Sequence, residues 1–229
     1  MQQLYDWKEK TTRKPLIVRG ARQVGKTWLM KEFASSAYRQ FAYINFEDNE
    51  VMKDVFQKDF DVERILMAIQ LVTGIVVDTE TLIIFDEIQE VTDWEKCINS
   101  LRVSLDCDIY ITGSNAKLLS GELATYLGGR YVEFVIYPFS FAEFLELYRQ
   151  KMPDETETLA FQKYLLLGGM PYLANLSYEE EPSRQYLTDV FNSVQLKDIV
   201  RRNKIRDIDL LERIVAYVMA NIGTTFSAS

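Results

Sequence analysis

The sequence predicts an α/β fold: a parallel sheet flanked by helices, followed by a smaller, purely helical segment. Three observations predict it. The run Leu16-Ile17-Val18 leads into Gly20-Ala21-Arg22-Gln23-Val24-Gly25-Lys26-Thr27 and then into a helical pattern from Trp28 to Phe33, so strand, G-x-x-x-x-G-K-T and helix follow in order. The continuous apolar run Leu82-Ile83-Ile84-Phe85 ends in Asp86-Glu87, the pattern of a strand buried on both faces with acids at its carboxyl end. Beyond Pro153 only helical periodicity remains.

Composition narrows the chemistry before any motif is read. A chain of 229 residues makes one large domain or two small ones, and a hydrophobic fraction of 48% supports a real core. No apolar run approaches the length of a membrane span. Met1 to Lys8 holds no apolar signal-peptide core, so a cytoplasmic protein with no membrane partner is expected. The net charge of −8 argues against nucleic-acid binding by the chain as a whole. There is no histidine, and the two cysteines, Cys97 and Cys107, form no C-x-x-C pair. Zinc sites and Ser-His or Cys-His catalysis are thereby excluded. Carboxylates, lysine, arginine, backbone amides and a bound metal are left to do the work.

Taken in order, residues 1–14 are polar and mixed, and their aromatics, Tyr5 and Trp7, either pack under a nucleotide base or belong to a plain surface helix. The first strand then feeds the glycine-rich loop. Its glycines let consecutive backbone N–H groups point inward at phosphate oxygens, and the following helix adds its N-terminal partial charge. Lys26 reaches the β- and γ-phosphates, and the Thr27 hydroxyl sits on Mg²⁺. The nucleotide-binding set is Gly20, Ala21, Arg22, Gln23, Val24, Gly25, Lys26 and Thr27, with Trp28 directly after. From average residue usage such a loop arises by accident in roughly one chain in a hundred of this length.

A second strand is expected near Phe41–Phe46, with a polar tip in which Asn45 either contacts the site or merely ends the strand. Residues 51–73 hold two helical patterns stopped by Gly74. In the third strand Asp86 is the metal-holding acid of a Walker B pattern, and Glu87 orients and deprotonates the attacking water. Asp93 is placed to cap the next helix, whose face of Trp94, Ile98, Leu101 and Leu105 makes Trp94 core rather than a binding platform. The strand from Asp108 to Gly113 leads to Ser114-Asn115, placed to feel a γ-phosphate. The last strand, Tyr131–Ile136, follows Gly128-Gly129-Arg130. Arg130 is either an arginine finger reaching a neighbouring subunit's phosphate or a surface arginine paired with Glu133. Ser140-Phe141-Ala142-Glu143 is a capping box.

The composition break Pro153-Asp154-Glu155-Thr156-Glu157 sets a boundary between residues 1–152 and 153–229. After it, Leu159–Leu167 reads as a helix ended by Gly168-Gly169, Pro182 opens another, and Asp207 caps a third that ends at Gly223. Arg201, Arg202, Lys204 and Arg206 are either a solvated helix end or a phosphate contact.

Gly20–Thr27 with Arg22-Gln23-Val24 inside it, Phe85-Asp86-Glu87-Ile88-Gln89, Thr112-Gly113-Ser114-Asn115, Leu127-Gly128-Gly129-Arg130 and Tyr137-Pro138-Phe139-Ser140-Phe141 follow one another along the chain. In this succession the sequence resembles the prokaryotic AAA-type ATPases that precede a C-terminal domain of unknown function, related to the archaeal-ATPase branch near the STAND NTPases. The resemblance covers nearly the whole chain. It implies a P-loop NTPase of the additional-strand, catalytic-Glu type with strand order 5-1-4-3-2 and a small helical lid. It also implies that Pro171, in Gly168-Gly169-Met170-Pro171, lies against the adenine, and that Asp198-Ile199-Val200-Arg201-Arg202 begins a following domain. Family members continue further, with a winged helix, so a shortened chain is expected.

The expected activity is Mg²⁺-dependent binding and hydrolysis of ATP, with Glu87, Lys26, Arg130 and Asn115 as the catalytic set and Thr27 and Asp86 on the metal. Nucleotide state would be coupled to movement of the lid and a partner domain. A slow regulatory switch with little turnover is the alternative, associated with DNA only through a winged helix. A second copy of the chain and an undefined protein are the partners to consider.

Overall fold

The computed structural model describes residues 1–113, 129–194, 199–200 and 205–224. Helix α1 (Gln2–Lys8) precedes strand β1 (Leu16–Gly20), helix α2 (Lys26–Ala37) and strand β2 (Gln40–Asn45). Helices α3 (Glu50–Lys58) and α4 (Val62–Thr73), strand β3 (Thr81–Asp86), helix α5 (Trp94–Ser104), and strands β4 (Asp108–Gly113) and β5 (Val132–Ile136) follow. All pairings are parallel. The sheet order is β2-β3-β4-β1-β5, which read from the β5 edge is 5-1-4-3-2, as expected.

Strand alternation divides the core in two. Ile17, Ala42, Ile44, Ile83, Phe85, Ile109 and Ile111 face α3, α4 and α5. Leu16, Val18, Leu82, Ile84 and Tyr110 face the opposite way, against Leu4 and Trp7 of α1 and Met30 and Phe33 of α2. Every residue of β3 is buried, the signature of a central parallel strand. Burial against Phe134 and the rest of this layer makes Trp7 a core residue and removes it from the nucleotide base. Trp94 and Cys97 belong to the other core layer.

Several helix ends follow their sequence signals, but the helix expected to open at Pro182 starts at Glu180 and the one expected to end at Gly223 ends at Ala220. Asn49 and Asp61 cap α3 and α4 by accepting from Met52 and Arg64 backbone N–H groups. Gly74 closes α4 in the left-handed region. Asp93 stands before α5 at φ 58° and makes no cap bond; its carboxylate meets Lys96 instead, 3.0 Å away.

After β5, Ser140 and Glu143 form the capping box that opens α6 (Phe141–Lys151). Helix α7 (Glu157–Leu167) starts on a Thr156 cap. A short 3-10 turn (Pro171–Leu176) and α8 (Glu180–Ser193) follow. The chain forms two compact units, Met1–Ser183 and Arg184–Ser229, so the composition break at 153–157 falls inside the first. In the second unit Asp207 caps α9 (Ile208–Ala220) as expected, but no α9 residue is buried. Its apolar stripe of Leu210, Ile214 and Val218 is exposed.

Candidate functional site

The carboxyl ends of β1 and β3 bring the loop and the acids together. Gly20 pairs with Ile136, and a Cβ on Gly20 would lie 2.2 Å from the Ile136 carbonyl oxygen. Only glycine lets β5 close against β1 there. The loop then turns through Gln23 at φ 61° and Gly25 at φ 87° into α2. Val24 is buried beneath it. Lys26, at the head of α2, is 6% exposed, and its Nζ donates to the carbonyls of Gly20 and Ala21 at 3.0 and 2.8 Å. The ammonium is thereby curled under the loop rather than extended into solvent. Arg22 is half-buried, and Trp28 is 68% exposed on the first turn of α2.

Asp86 is the hub of the site. Alternation along β3 turns it to the α2 side, the face that Leu82 and Ile84 share. The hydroxyls of Thr27 and Tyr43 donate to its Oδ2 at 2.8 and 2.7 Å. The Thr112 hydroxyl and the Glu87 backbone N–H donate to Oδ1 at 2.6 and 3.1 Å. Three elements and the residue after β3 thus converge on one carboxylate that is 3% exposed. Burial first, and then the bond to Asp86, hold the Tyr43 phenol well above its ordinary pKa, so it stays protonated and donates. Lys31, one turn past Thr27, lies 3.6 Å from the Tyr43 ring centroid.

Glu87 follows at φ 52°, a left-handed backbone that glutamate rarely adopts. Gln89 donates from Nε2 to Glu87 Oε2. Asn45, expected either to contact the site or merely to end its strand, bonds within its own turn: Oδ1 accepts from the Glu47 N–H at 2.9 Å, and Nδ2 donates to Asp48 at 3.2 Å.

Pro171 reaches the loop from after α7. A Cβ on Gly25 would lie 4.0 Å from Pro171 Cγ. The approach is fixed at Gly169, where a Cβ would lie 2.1 Å from the Phe139 carbonyl oxygen and whose own carbonyl accepts from the Phe139 N–H at 2.7 Å. The Tyr137-Pro138-Phe139 and Gly168-Gly169-Met170-Pro171 segments therefore meet beside the loop.

Arg130 does not join this cluster. Val132 pairs with Leu16, the first residue of β1, so Arg130 lies at the amino end of the sheet. The loop is at the other end, about 15 Å away along a strand of that length. Arg130 bonds Asn99 at 3.4 Å, and its neighbour Gly129 accepts from Lys14. Glu133 pairs with Arg19, not Arg130. The geometry removes Arg130 from its own chain's site. Ser114, Asn115, Gly128, Arg201, Arg202 and Lys204 lie outside the described residues.

Tyr43, Thr112 and Gln89 are the members that sequence reading missed as site residues. Thr112 and Tyr43 show only as polar-tipped residues near the ends of apolar strands, and it takes the pairing Tyr43↔Ile84 to put the phenol beside Asp86. Chemically, the arrangement offers a buried cation and inward amides for phosphates, a hydroxyl next to a carboxylate, and a second carboxylate one residue on. Among the described residues no group of three or more Cys, Asp or Glu could cage a metal. The Thr27–Asp86 pair instead fits magnesium, which is held by one or two protein oxygens together with phosphates and water.

The chain spans about half the length of the curated relatives it matches. An uncharacterized protein of Haemophilus influenzae is 34% identical over 238 residues, covering 100% of this chain and 56% of that protein. An uncharacterized protein of Methanocaldococcus jannaschii is 30% identical over 216 residues, covering 90% of this chain and 47% of that protein. Among solved structures, a STAND protein with a tetratricopeptide repeat sensor from Pyrococcus horikoshii aligns with a TM-score of 0.47 at 16% identity, over 79% of this chain and 30% of that one. Residues 12–145 match the family model described as AAA domain, and residues 158–229 match one described as a domain of unknown function, DUF8612.

Proposed function

This chain belongs to the AAA domain family, a nucleotide-binding, ATPase-type fold, and from that premise we propose that it binds ATP with Mg²⁺ and hydrolyses it to ADP and phosphate. The observation that carries the reading is the Thr27–Asp86 hydrogen bond beside a loop whose buried Lys26 donates to the Gly20 and Ala21 carbonyls. Lys26 would neutralise the β- and γ-phosphates, and the inward amides of Gly20–Thr27 would bind their oxygens. Thr27 and Asp86 would hold the magnesium, which when bound neutralises charge on the phosphates. Glu87 would accept the proton of the attacking water. Pro171 would pack against the base, and Asn115 would contact the γ-phosphate. Nucleotide state would be coupled to the helical segment of residues 153–229, acting as a lid, and to a partner domain or protein. A cytoplasmic location fits the reading, since no described helix is long and apolar enough to cross a membrane.

The test is steady-state phosphate release from ATP, with Mg²⁺ and with a chelator. Turnover that needs Mg²⁺ supports the reading; absence of ATP binding overturns it. A second reading, a slow regulatory switch, is favoured by one observation: Gln89 already engages the Glu87 carboxylate that would serve as base. Tight binding of ATP with turnover slower than nucleotide exchange would select it.

A further inference from the structure

An aspartate carboxylate has about four lone-pair positions, and the four donors on Asp86 take them all. Two of the donors, Thr112 and the Glu87 N–H, sit on Oδ1, and these hold the carboxylate in place from its own strand neighbourhood. The other two sit on Oδ2, which faces Thr27. They are not equivalent. Thr27 gives its proton to Asp86 and keeps its oxygen lone pairs for a metal, so its bond survives metal binding. A protonated phenol is a poor ligand for magnesium, which takes carboxylate, phosphate and water oxygens. Tyr43 therefore occupies an acceptor position that a magnesium-bound water would use.

We infer that Tyr43 is a positioning residue that competes with the hydrated metal for Asp86, so that metal loading requires the Tyr43 hydroxyl to give up Oδ2. This rests on the nucleotide and Mg²⁺ reading of the same site. The competitor is not a loose side chain. Its ring packs against the α2-side core, and Lys31 holds the ring face from α2 itself. Releasing Oδ2 thus moves a ring that is clamped to the helix carrying Lys26 and Thr27. The metal-free pocket is kept satisfied, without a bare buried carboxylate, and the metal is admitted at a cost in affinity.

The test compares the full chain with Tyr43→Phe and Lys31→Ala, using ADP as the probe nucleotide. Calorimetry gives ADP affinity in a chelator and at rising Mg²⁺, and free-Mn²⁺ resonance gives metal binding to the ADP complex. Tyr43→Phe keeps the ring and removes one oxygen. It is expected to leave ADP affinity in chelator within about twofold and to lower the metal concentration at half-effect about tenfold, the size of a lost bond to a charged acceptor. Lys31→Ala, which loosens the clamp without touching Asp86, should shift the same midpoint in the same direction by less, and decides the matter if the phenylalanine variant does not fold. A midpoint unchanged or raised in the variants overturns the inference while the wild-type metal dependence still supports the site. If wild-type ADP affinity ignores Mg²⁺, the metal reading fails and takes this inference with it.

Discussion

Gln89 donates its side-chain amide to the carboxylate of Glu87, two residues before it, while Glu87 stands at φ 52° in the left-handed region. The acid that immediately follows β3 is thus held by a neighbour of its own turn and by a backbone that disfavours it. Both features concentrate at the residue proposed to activate water, and backbone strain clusters at functional sites. Glu87→Gln should therefore keep ATP affinity and lose turnover by about a hundredfold or more, because the amide keeps the size but accepts no proton. Binding by calorimetry and phosphate release on the same sample check it. If Asp86→Asn instead keeps binding and loses only turnover, the two acids exchange roles.

Glu87→Gly separates the backbone from the carboxylate. Glycine takes a left-handed φ without the cost of about 1–2 kcal/mol that a Cβ carries, and gives back about 0.5–1 kcal/mol in unfolded-chain entropy. The variant should be inactive and more stable than wild type by about 0.5–1 kcal/mol. Denaturant midpoints at equal slope measure it; a destabilised variant would place the strain elsewhere.

Lys26 donates to two carbonyls of its own loop and is buried. Lys26→Ala opens those carbonyls to water. The chain should stay folded, with an unchanged circular dichroism spectrum, and should lose nucleotide affinity by roughly a hundredfold, the scale of lost bonds to charged phosphate oxygens. Wild-type affinity in a folded variant would take Lys26 out of the site.

Much of the sheet was legible because each buried parallel strand is an apolar run with a polar end. Leu82–Phe85 and Ile109–Ile111 are buried on both faces, and their short runs, with β-branched residues and polar ends, read as strands of that kind. The loop was legible because its chemistry is local. Tyr43 and Thr112 were not, since their meeting at Asp86 depends on which strands lie side by side, and pairing is a long-range property. The place of Arg130 was hidden for the same reason: only the pairing of β5 with β1 shows that a strand beginning beside Leu16 starts at the end of the sheet away from its own chain's loop. The stripe on α9 shows the opposite failure, a helix read correctly whose apolar face is exposed.

Burial in the core pushes the Cys97 thiol up to about 12. The sign follows from linkage: the folded chain holds that proton more tightly than the unfolded chain, so the contribution is intact below the unfolded value near 8.5 and is lost as pH rises from there toward about 12. Stability should fall with rising pH from this group across that window. Urea titrations at pH 7.5 and 10.5 compare the two regimes, and Cys97→Ala should flatten the slope between them. In the native state at pH 8 Cys97 should resist thiol reagents, because the thiolate is the reactive form.

Arg130 lies at the amino end of the sheet, so any charge it supplies to a γ-phosphate comes from a second copy of the chain. Its guanidinium rests on Asn99 at 3.4 Å, a long bond on an exposed surface that a stronger anionic partner displaces easily. If Arg130 serves a neighbour, turnover per chain should climb with protein concentration as copies associate. Arg130→Ala should bind ATP as wild type does and lose that climb, keeping the rate of the dilute protein at every concentration. Mixing Arg130→Ala with Glu87→Gln sharpens the test. Neither variant alone turns over well, but an Arg130→Ala chain with an intact Glu87 receives its arginine from the Glu87→Gln partner, so the mixture should exceed the sum of its parts. A mixture no faster than the separate variants, together with wild-type rates for Arg130→Ala at all concentrations, removes the arginine from catalysis and leaves it as a surface residue holding the start of β5.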